Sequence, residues 1–429
     1  MNASLLKNFS HVFFQGVGEY ADNGNLSAKS ALQGEETLPS SSTHWSSNKW
    51  LVALRQVLPL YVAIHVAAFI TTCLSVLYLQ HDFAAAGHPL SVLWQAWHHW
   101  DTGNYISIAM HGYGTINRTV FFPLYPILIH IFAFIYQPDP IIAELLISSV
   151  TNLVWMVVLY QLVLEDFGHD CAQRTVLYLS IFPFAFFFLA GYTESLFLCL
   201  ALLSFYHARH GHWWLSGLSG FFACLTRSTG IILLLPFCYE YLRQHQFQIR
   251  KFGFGIVAGG LILVSIGLYA FYCWKTFGDP LSFSHQEISW QRHLMPPWSG
   301  IIKAVRIIKN SNGLLSFYAL RNLTDLLPDL LILFLLILGC AGPWRFKKEQ
   351  WSYLLYGIPL YLIIALYPRG GGGEMPLESV GRYMLEIFPA FILLALLGKF
   401  RWLHISYISI ASSTCYFLLT QFLTGHWVL

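Results

Sequence analysis

Phe121-Phe122-Pro123-Leu124-Tyr125-Pro126-Ile127-Leu128-Ile129-His130-Ile131-Phe132-Ala133-Phe134-Ile135-Tyr136 is the stretch on which the architecture of this chain turns. It is apolar enough for lipid but shorter than the ~20 residues that a transmembrane helix needs. Its two prolines, three apart, predict a kinked, non-helical approach to the membrane. Such backbone is tolerated at depth only where protein buries it or it lines a cavity. Whether this piece crosses, or dips in and returns, decides on which face every later loop emerges.

Working outward, apolar runs bounded by charges, Gly and Pro place a long span at about 50–80. Further spans follow at about 141–164, 175–190, 196–206, 213–225, 230–241, 255–274, 326–341, 353–367, 383–397 and 405–423. The basic short loops hold Arg209, then Arg243 with Arg250 and Lys251, then Arg345 with Lys347 and Lys348, then Lys399 with Arg401. All of them fall on the cytoplasmic face, as the positive-inside rule requires, only if 121–136 is re-entrant or juxtamembrane. The expected fold is therefore an all-α polytopic membrane protein with about 11 transmembrane helices, a cytoplasmic N-terminus and an outward C-terminus.

Composition agrees. Hydrophobic residues make up 56% of the 429 and charged residues 10%, against ~45–50% and ~25% in soluble domains. A net charge of +3 is too small to suggest nucleic acid. The eight cysteines lie almost all inside apolar runs without paired spacing, as small hydrophobes do. The eighteen histidines show no HExxH spacing, so neither a metal nor another cofactor is expected. Residues 1–49 are polar and carry no signal-peptide core, so they read as a disordered cytoplasmic tail. Residues 50–429 read as one integral-membrane domain with outer loops at 81–120, 275–321 and 368–381. Within the second loop, Ile301, Ile302, Val305 and Ile308 oppose Lys303, Arg306 and Lys309, the pattern of an amphipathic helix on the outer leaflet.

The same topology gathers Asp101, Glu194, Arg227, Arg292 and Arg382 on the outer face. Charges at membrane depth cost ~2.5–3.5 kcal/mol each on insertion scales and usually line a cavity or pathway. In His98-His99-Trp100-Asp101-Thr102-Gly103-Asn104-Tyr105 an acid sits among aromatic rings. Asp101 can accept a hydroxyl proton, or it can simply cap a short interfacial helix. Arg227, in Thr226-Arg227-Ser228-Thr229-Gly230 between two short spans, can bind phosphate or snorkel to the interface. Glu194, in Tyr192-Thr193-Glu194-Ser195, can orient a substrate or favour a helix start. Arg292 and Arg382 stand beside aromatics, and Arg369-Gly370-Gly371-Gly372-Gly373 reads as a flexible segment, a candidate lid.

Trp100-Asp101-xxx-Tyr105, Gly112-Tyr113 and Phe121-Phe122-Pro123-Leu124-Tyr125-Pro126 resemble a signature of the PIG-V-like mannosyltransferases. Tyr192-Thr193-Glu194-Ser195-Leu196-Phe197, Leu225-Thr226-Arg227-Ser228-Thr229-Gly230 and Gly278-Asp279-Pro280-Leu281 extend the likeness. Ser379-xx-Arg382-Tyr383, Phe388-Pro389 and Gly425-His426-Trp427-Val428 carry it to the end, over roughly residues 50–429. That family includes the enzyme adding the second mannose of GPI anchors, and bacterial relatives. It is similar to the GT-C superfamily of polytopic glycosyltransferases.

The resemblance implies a mannosyltransferase taking a hexose from a polyprenyl-phosphate donor to a lipid or glycan hydroxyl on the outer or lumenal face, with inversion. It implies Asp101 as catalytic residue and Arg227 as donor-phosphate ligand, and the outward Arg382 and Arg292 are further candidate donor-phosphate ligands. Trp100, Tyr105, Glu194, Tyr125 and Trp290 are the candidate acceptor- or sugar-binding residues. Two departures stand out: His99 where the family often has Arg, and Ser228 where it usually has Pro. The expected partners are lipid-linked donor, acceptor and membrane, with a small membrane subunit as a further candidate. Compact loops and the lack of a lumenal retention motif favour a bacterial plasma membrane over the endoplasmic reticulum. A flippase of lipid-linked sugars, or a non-catalytic polytopic subunit, is the alternative. A flippase should carry polar residues on both faces and show repeat symmetry, and neither is visible here.

Overall fold

The computed structural model describes residues 47–79, 90–136, 139–251, 253–370 and 374–426. The expected 1–49 tail lies outside the described residues except for its last three, which already belong to a helix. Among the described residues the chain forms helices, turns and a single isolated β-bridge.

The first helix, α1 (Ser47–Leu79), is long enough to cross a membrane and carries Pro59 inside it. Two short helices come next, α2 (Ser91–Gln95) and α3 (Asp101–His111). The decisive stretch becomes α4 (Leu124–Tyr136). Its prolines do not keep it non-helical, which corrects the expectation. Pro123 precedes the helix and Pro126 sits in the first turn, where a missing N–H costs nothing. At ~1.5 Å per residue the helix falls well short of the ~30 Å hydrocarbon core, as a re-entrant or juxtamembrane piece should.

Asp139 then caps α5 (Pro140–Phe167), its side chain accepting from the Ile141 amide at 3.0 Å, with Pro140 at the first helical position. Gly168, at φ 83°, turns the chain into α6 (His169–Ser180). An irregular aromatic segment leads to α7 (Glu194–Arg209). Then come α8 (Trp213–Thr226), α9 (Leu234–Gln244), α10 (Gly260–Phe277), α11 (Ser282–His285), α12 (Ser299–Asn310), α13 (Phe317–Cys340) and α14 (Trp351–Leu366). The last three are α15 (Val380–Tyr383), α16 (Phe388–Leu397) and α17 (Arg401–Leu423).

Among the described residues, by length and apolarity five helical stretches can span a membrane, or six if the pair 380–386 and 388–397, bent by 81°, counts as one. The eleven crossings expected from the sequence are not reproduced by that criterion. The physical reason is that α6, α7, α8, α9 and α14 are 11 to 16 residues long and join through bends.

The core is centred on α7, α16 and the aromatic segment between α6 and α7, where Phe182, Phe184, Phe186, Phe187 and Tyr192 are buried. Ion pairs join several helices at one end: Arg209 to Asp166 at 2.6 Å and Arg209 to Glu240 at 3.9 Å. Tyr353 donates to Asp166 and Ser352 to Glu240. This end holds the basic loop at Arg209 and, through Tyr239 donating to the Lys348 carbonyl, the loop at 345–348.

The expected amphipathic helix is α12, but Ile301, Val305 and Ile308 pack on the protein's own core. Ile302, placed on the same face from sequence, is 49% exposed.

Candidate active site

Asp101 is the first residue of α3, where a negative side chain suits the positive end of the helix dipole. The preceding Trp100 holds φ 55°, ψ −110°, a conformation non-glycine residues rarely adopt. Strain of this kind persists only where the surroundings enforce it. Here the Trp100 ring lies 5.0 Å from Phe422 of α17, and Tyr192 donates to the His99 carbonyl. Asp101 heads the helix without a side-chain capping hydrogen bond at that end, and it lines a cavity.

That cavity, about 430 Å³, is lined by Asp101, Tyr105, Arg227, Trp290, Arg292 and Arg382 among others. Its size falls in the ~300–1,000 Å³ range of small-molecule sites. All three predicted arginines surround the Tyr383 ring, with guanidinium carbons 4.9 Å (Arg227), 5.0 Å (Arg382) and 5.4 Å (Arg292) from its centroid.

Arg227 occupies an extended break between α8 and the following 3-10 turn (Ser228–Leu233). Gly230 lets that turn close, because a Cβ there would sit 2.6 Å from the Cys224 backbone nitrogen. The Arg227 Nη1 donates to Glu194 Oε1 at 2.9 Å and to Thr193 Oγ1 at 3.2 Å. Its Nε stands 2.9 Å from Glu386 Oε1. Arg382 Nη1 donates to Asp101 Oδ2 at 2.8 Å, its Nη2 to the Tyr383 hydroxyl, and its Nε lies 3.1 Å from Glu194 Oε1. Two arginines are matched by three carboxyl groups.

Arg292 differs. Among the described residues no carboxylate comes within ion-pair distance of it. Its Nη1 and Nη2 donate to the carbonyls of Tyr367 (3.0 Å) and Glu378 (2.9 Å). An antiparallel bridge to Arg369 and a hydrogen bond from Gly370 N to the Gln291 carbonyl fix its backbone. Arg369 itself is ion-paired with Glu378. Most of the glycine run, 371–373, lies outside the described residues.

Four predicted residues need reassignment or comment. Glu194 is fully buried and is absent from the cavity lining. Tyr125 is also fully buried behind Tyr105, its hydroxyl donating to the Glu144 carbonyl, so it does not reach the cavity. Trp100 faces α17 and the His99 ring rather than the cavity. His99 is half-buried, and burial holds its imidazole below the ordinary range despite a hydrogen bond to the Leu423 backbone. It is neutral at pH 7 and no substitute for a phosphate-binding Arg. Tyr105 and Trp290 do line the cavity, each ring set edge-on against Phe121.

Sequence reasoning missed Glu386, Glu287 and Glu378, all of which line the cavity. Glu386 had a signal: it stands four residues after Arg382 in an otherwise apolar run, where a charge needs a partner. Glu287 had none, since a loop acid is ordinary.

Fold and site together define a polytopic membrane protein of GT-C-like architecture. The family described as mannosyltransferase (PIG-V) matches residues 49–359, and the chain belongs to it. GPI mannosyltransferase 2 of Yarrowia lipolytica is 29% identical over 133 residues, which cover 30% of this chain and 37% of that relative. Among solved structures, ArnT from Cupriavidus metallidurans bound to undecaprenyl phosphate aligns with a TM-score of 0.51 and 14% identity. The alignment covers 89% of this chain and 78% of ArnT, a likeness of fold.

Proposed function

We propose that the protein is a membrane mannosyltransferase that moves a hexose from a polyprenyl-phosphate donor to a hydroxyl of a lipid or glycan acceptor. The cavity would open on the outer or lumenal face, and no cofactor is assigned. Asp101 would take the proton of the acceptor hydroxyl as its oxygen attacks the anomeric carbon. The bond from that carbon to the donor phosphate oxygen breaks on the opposite side, so the product is inverted. The phosphate leaves with the electron pair and gains negative charge. Preorganised cations aimed at developing charge are commonly the largest catalytic contribution.

Arg227 and Arg382 already face carboxylates, so their remaining attraction for phosphate is reduced. Arg292 donates to carbonyls and makes no carboxylate ion pair among the described residues, and it is assigned the main phosphate contact. Arg382 is assigned the task of holding Asp101, and Tyr105 and Trp290 give sugar rings apolar faces to lie on. The observation that carries the reading is a cavity lined both by a carboxylate and by a guanidinium that has no carboxylate ion pair among the described residues.

The test is transfer of radiolabelled mannose from polyprenyl-phosphate mannose by purified protein. Asp101→Asn should lose 10²-fold or more, the scale of general-base catalysis (~10²–10⁴). Arg292→Ala should raise KM for the donor and lower kcat, with Arg292→Lys recovering part of both. Full activity in Asp101→Asn would end the base assignment. Movement of intact donor across vesicles without transfer would favour the flippase.

A further inference from the structure

Glu194 sits where it cannot touch substrate yet holds two of the residues that can. It is the first residue of α7, fully buried, behind the cavity wall. A single oxygen, Oε1, meets Arg227 Nη1 at 2.9 Å and Arg382 Nε at 3.1 Å, while Oε2 has no hydrogen-bond partner. The carboxyl and guanidinium groups alternate in a line, Glu386–Arg227–Glu194–Arg382–Asp101, with gaps of 2.9, 2.9, 3.1 and 2.8 Å. The line ends on the carboxylate that faces the cavity.

The donor count of Arg382 gives Glu194 a specific consequence. A guanidinium and a carboxylate prefer to meet through two parallel hydrogen bonds. Here Nε lies 3.1 Å from Glu194 Oε1 as an ion pair without a hydrogen bond, Nη2 donates to the Tyr383 hydroxyl, and Nη1 is the nitrogen that donates to Asp101. Arg382 therefore engages Oδ2 alone, and Oδ1 stays available to a proton. The guanidinium has little freedom to rearrange while Glu194 is in place, since it lies over the rings of Tyr192, Phe187 and Tyr383.

We propose that Glu194 is a positioning residue that keeps the Arg382–Asp101 pair monodentate and so leaves one Asp101 oxygen free to act as base. This rests on the assignment of Asp101 as base. Without the Glu194 charge, Arg382 can close on both oxygens of Asp101. The carboxylate is then both misaligned and harder to protonate. A misplacement of about 1 Å can cost ~10²-fold in rate.

The experiment compares Glu194→Gln, which keeps length and an acceptor oxygen but loses charge, with wild type in the transfer assay. Expected are a ~10- to 100-fold fall in kcat and an acid limb of the kcat–pH profile moved to lower pH. On an Asp101→Asn background the further loss from Glu194→Gln should be far smaller than on wild type, because its proposed effect on kcat runs through that carboxylate. Tyr383→Phe, which frees Nη2 without emptying a buried charge site, should shift the limb in the same direction if the Gln variant does not fold. Wild-type kcat in Glu194→Gln, an unmoved limb, or a loss that multiplies in full on Asp101→Asn would overturn the proposal. If Asp101→Asn is itself fully active, the base assignment has failed rather than the positioning.

Discussion

Glu287 is the residue whose protonation should be visible in the stability of the whole protein. It lines the cavity in the 275–321 loop, and burial raises its carboxyl above the ordinary value of 4.5, with Arg292 and Arg227 opposing the shift. A carboxyl raised in the folded state binds protons more readily there than when unfolded. Stability is then full below the unfolded value and falls as pH rises through the folded one. Replacing Glu287 by Gln should therefore leave the melting temperature unchanged near pH 4.5 and raise it at pH 8. Equal melting curves at both pH values would show that the burial is of no thermodynamic consequence. The same residue scale separates Arg292 from Arg227 and Arg382. All three are arginines beside aromatics in the sequence, and only their partners, carbonyls or carboxylates, tell which one keeps charge to spare for a phosphate.

At the scale of elements, the site depends on short helices being pressed together until their ends meet. Helix α8, which presents Arg227 at its C-terminal end, lies against the 254–277 segment through Gly217 and Gly220. A Cβ on Gly217 would sit 2.2 Å from the Ala258 carbonyl oxygen, and one on Gly220 would sit 2.8 Å from Ile262 Cγ1. Gly→Ala inside a helix gains about 1 kcal/mol of propensity, whereas overpacking costs ~1–3 kcal/mol. The carbonyl is backbone and cannot yield, so Gly217→Ala should lower the melting temperature and donor affinity together. Gly220→Ala meets a side chain that can turn, so the two effects should nearly cancel. The order of the two melting temperatures checks this, and a Gly217→Ala protein as stable as wild type would refute it. Period-based reading located α8 and α9 and the break between them, because Arg227 interrupts the apolar run. It misjudged 124–136, where proline was read as a breaker although a helix begins there.

For the whole molecule, the expectation is that the cavity and the basic loops lie on opposite faces of the membrane. Asn312→Cys, in the 275–321 loop, should react with a membrane-impermeant thiol reagent from outside, on a background with the exposed Cys340 replaced. Gln246→Cys, beyond α9, should react only after permeabilisation. Labelling of both from one side would refute the eleven-crossing topology. Much of this scale was legible in composition: 56% hydrophobic residues with 10% charged leave lipid as the only solvent in which so many apolar faces are at home. The ordered motifs placed the family, and the residues within them included Asp101, Arg227 and Arg382 of the cavity. What a linear pattern determines is which segments prefer lipid and which charges must therefore find company. It does not contain distances between segments far apart in the chain. That Glu194 serves two arginines at once, that Tyr125 stands behind the cavity, and that Arg292 has only carbonyls to hold were decided when helices distant in sequence met. The reason is that ion pairing and desolvation depend on separations of a few ångströms, and only tertiary structure sets those.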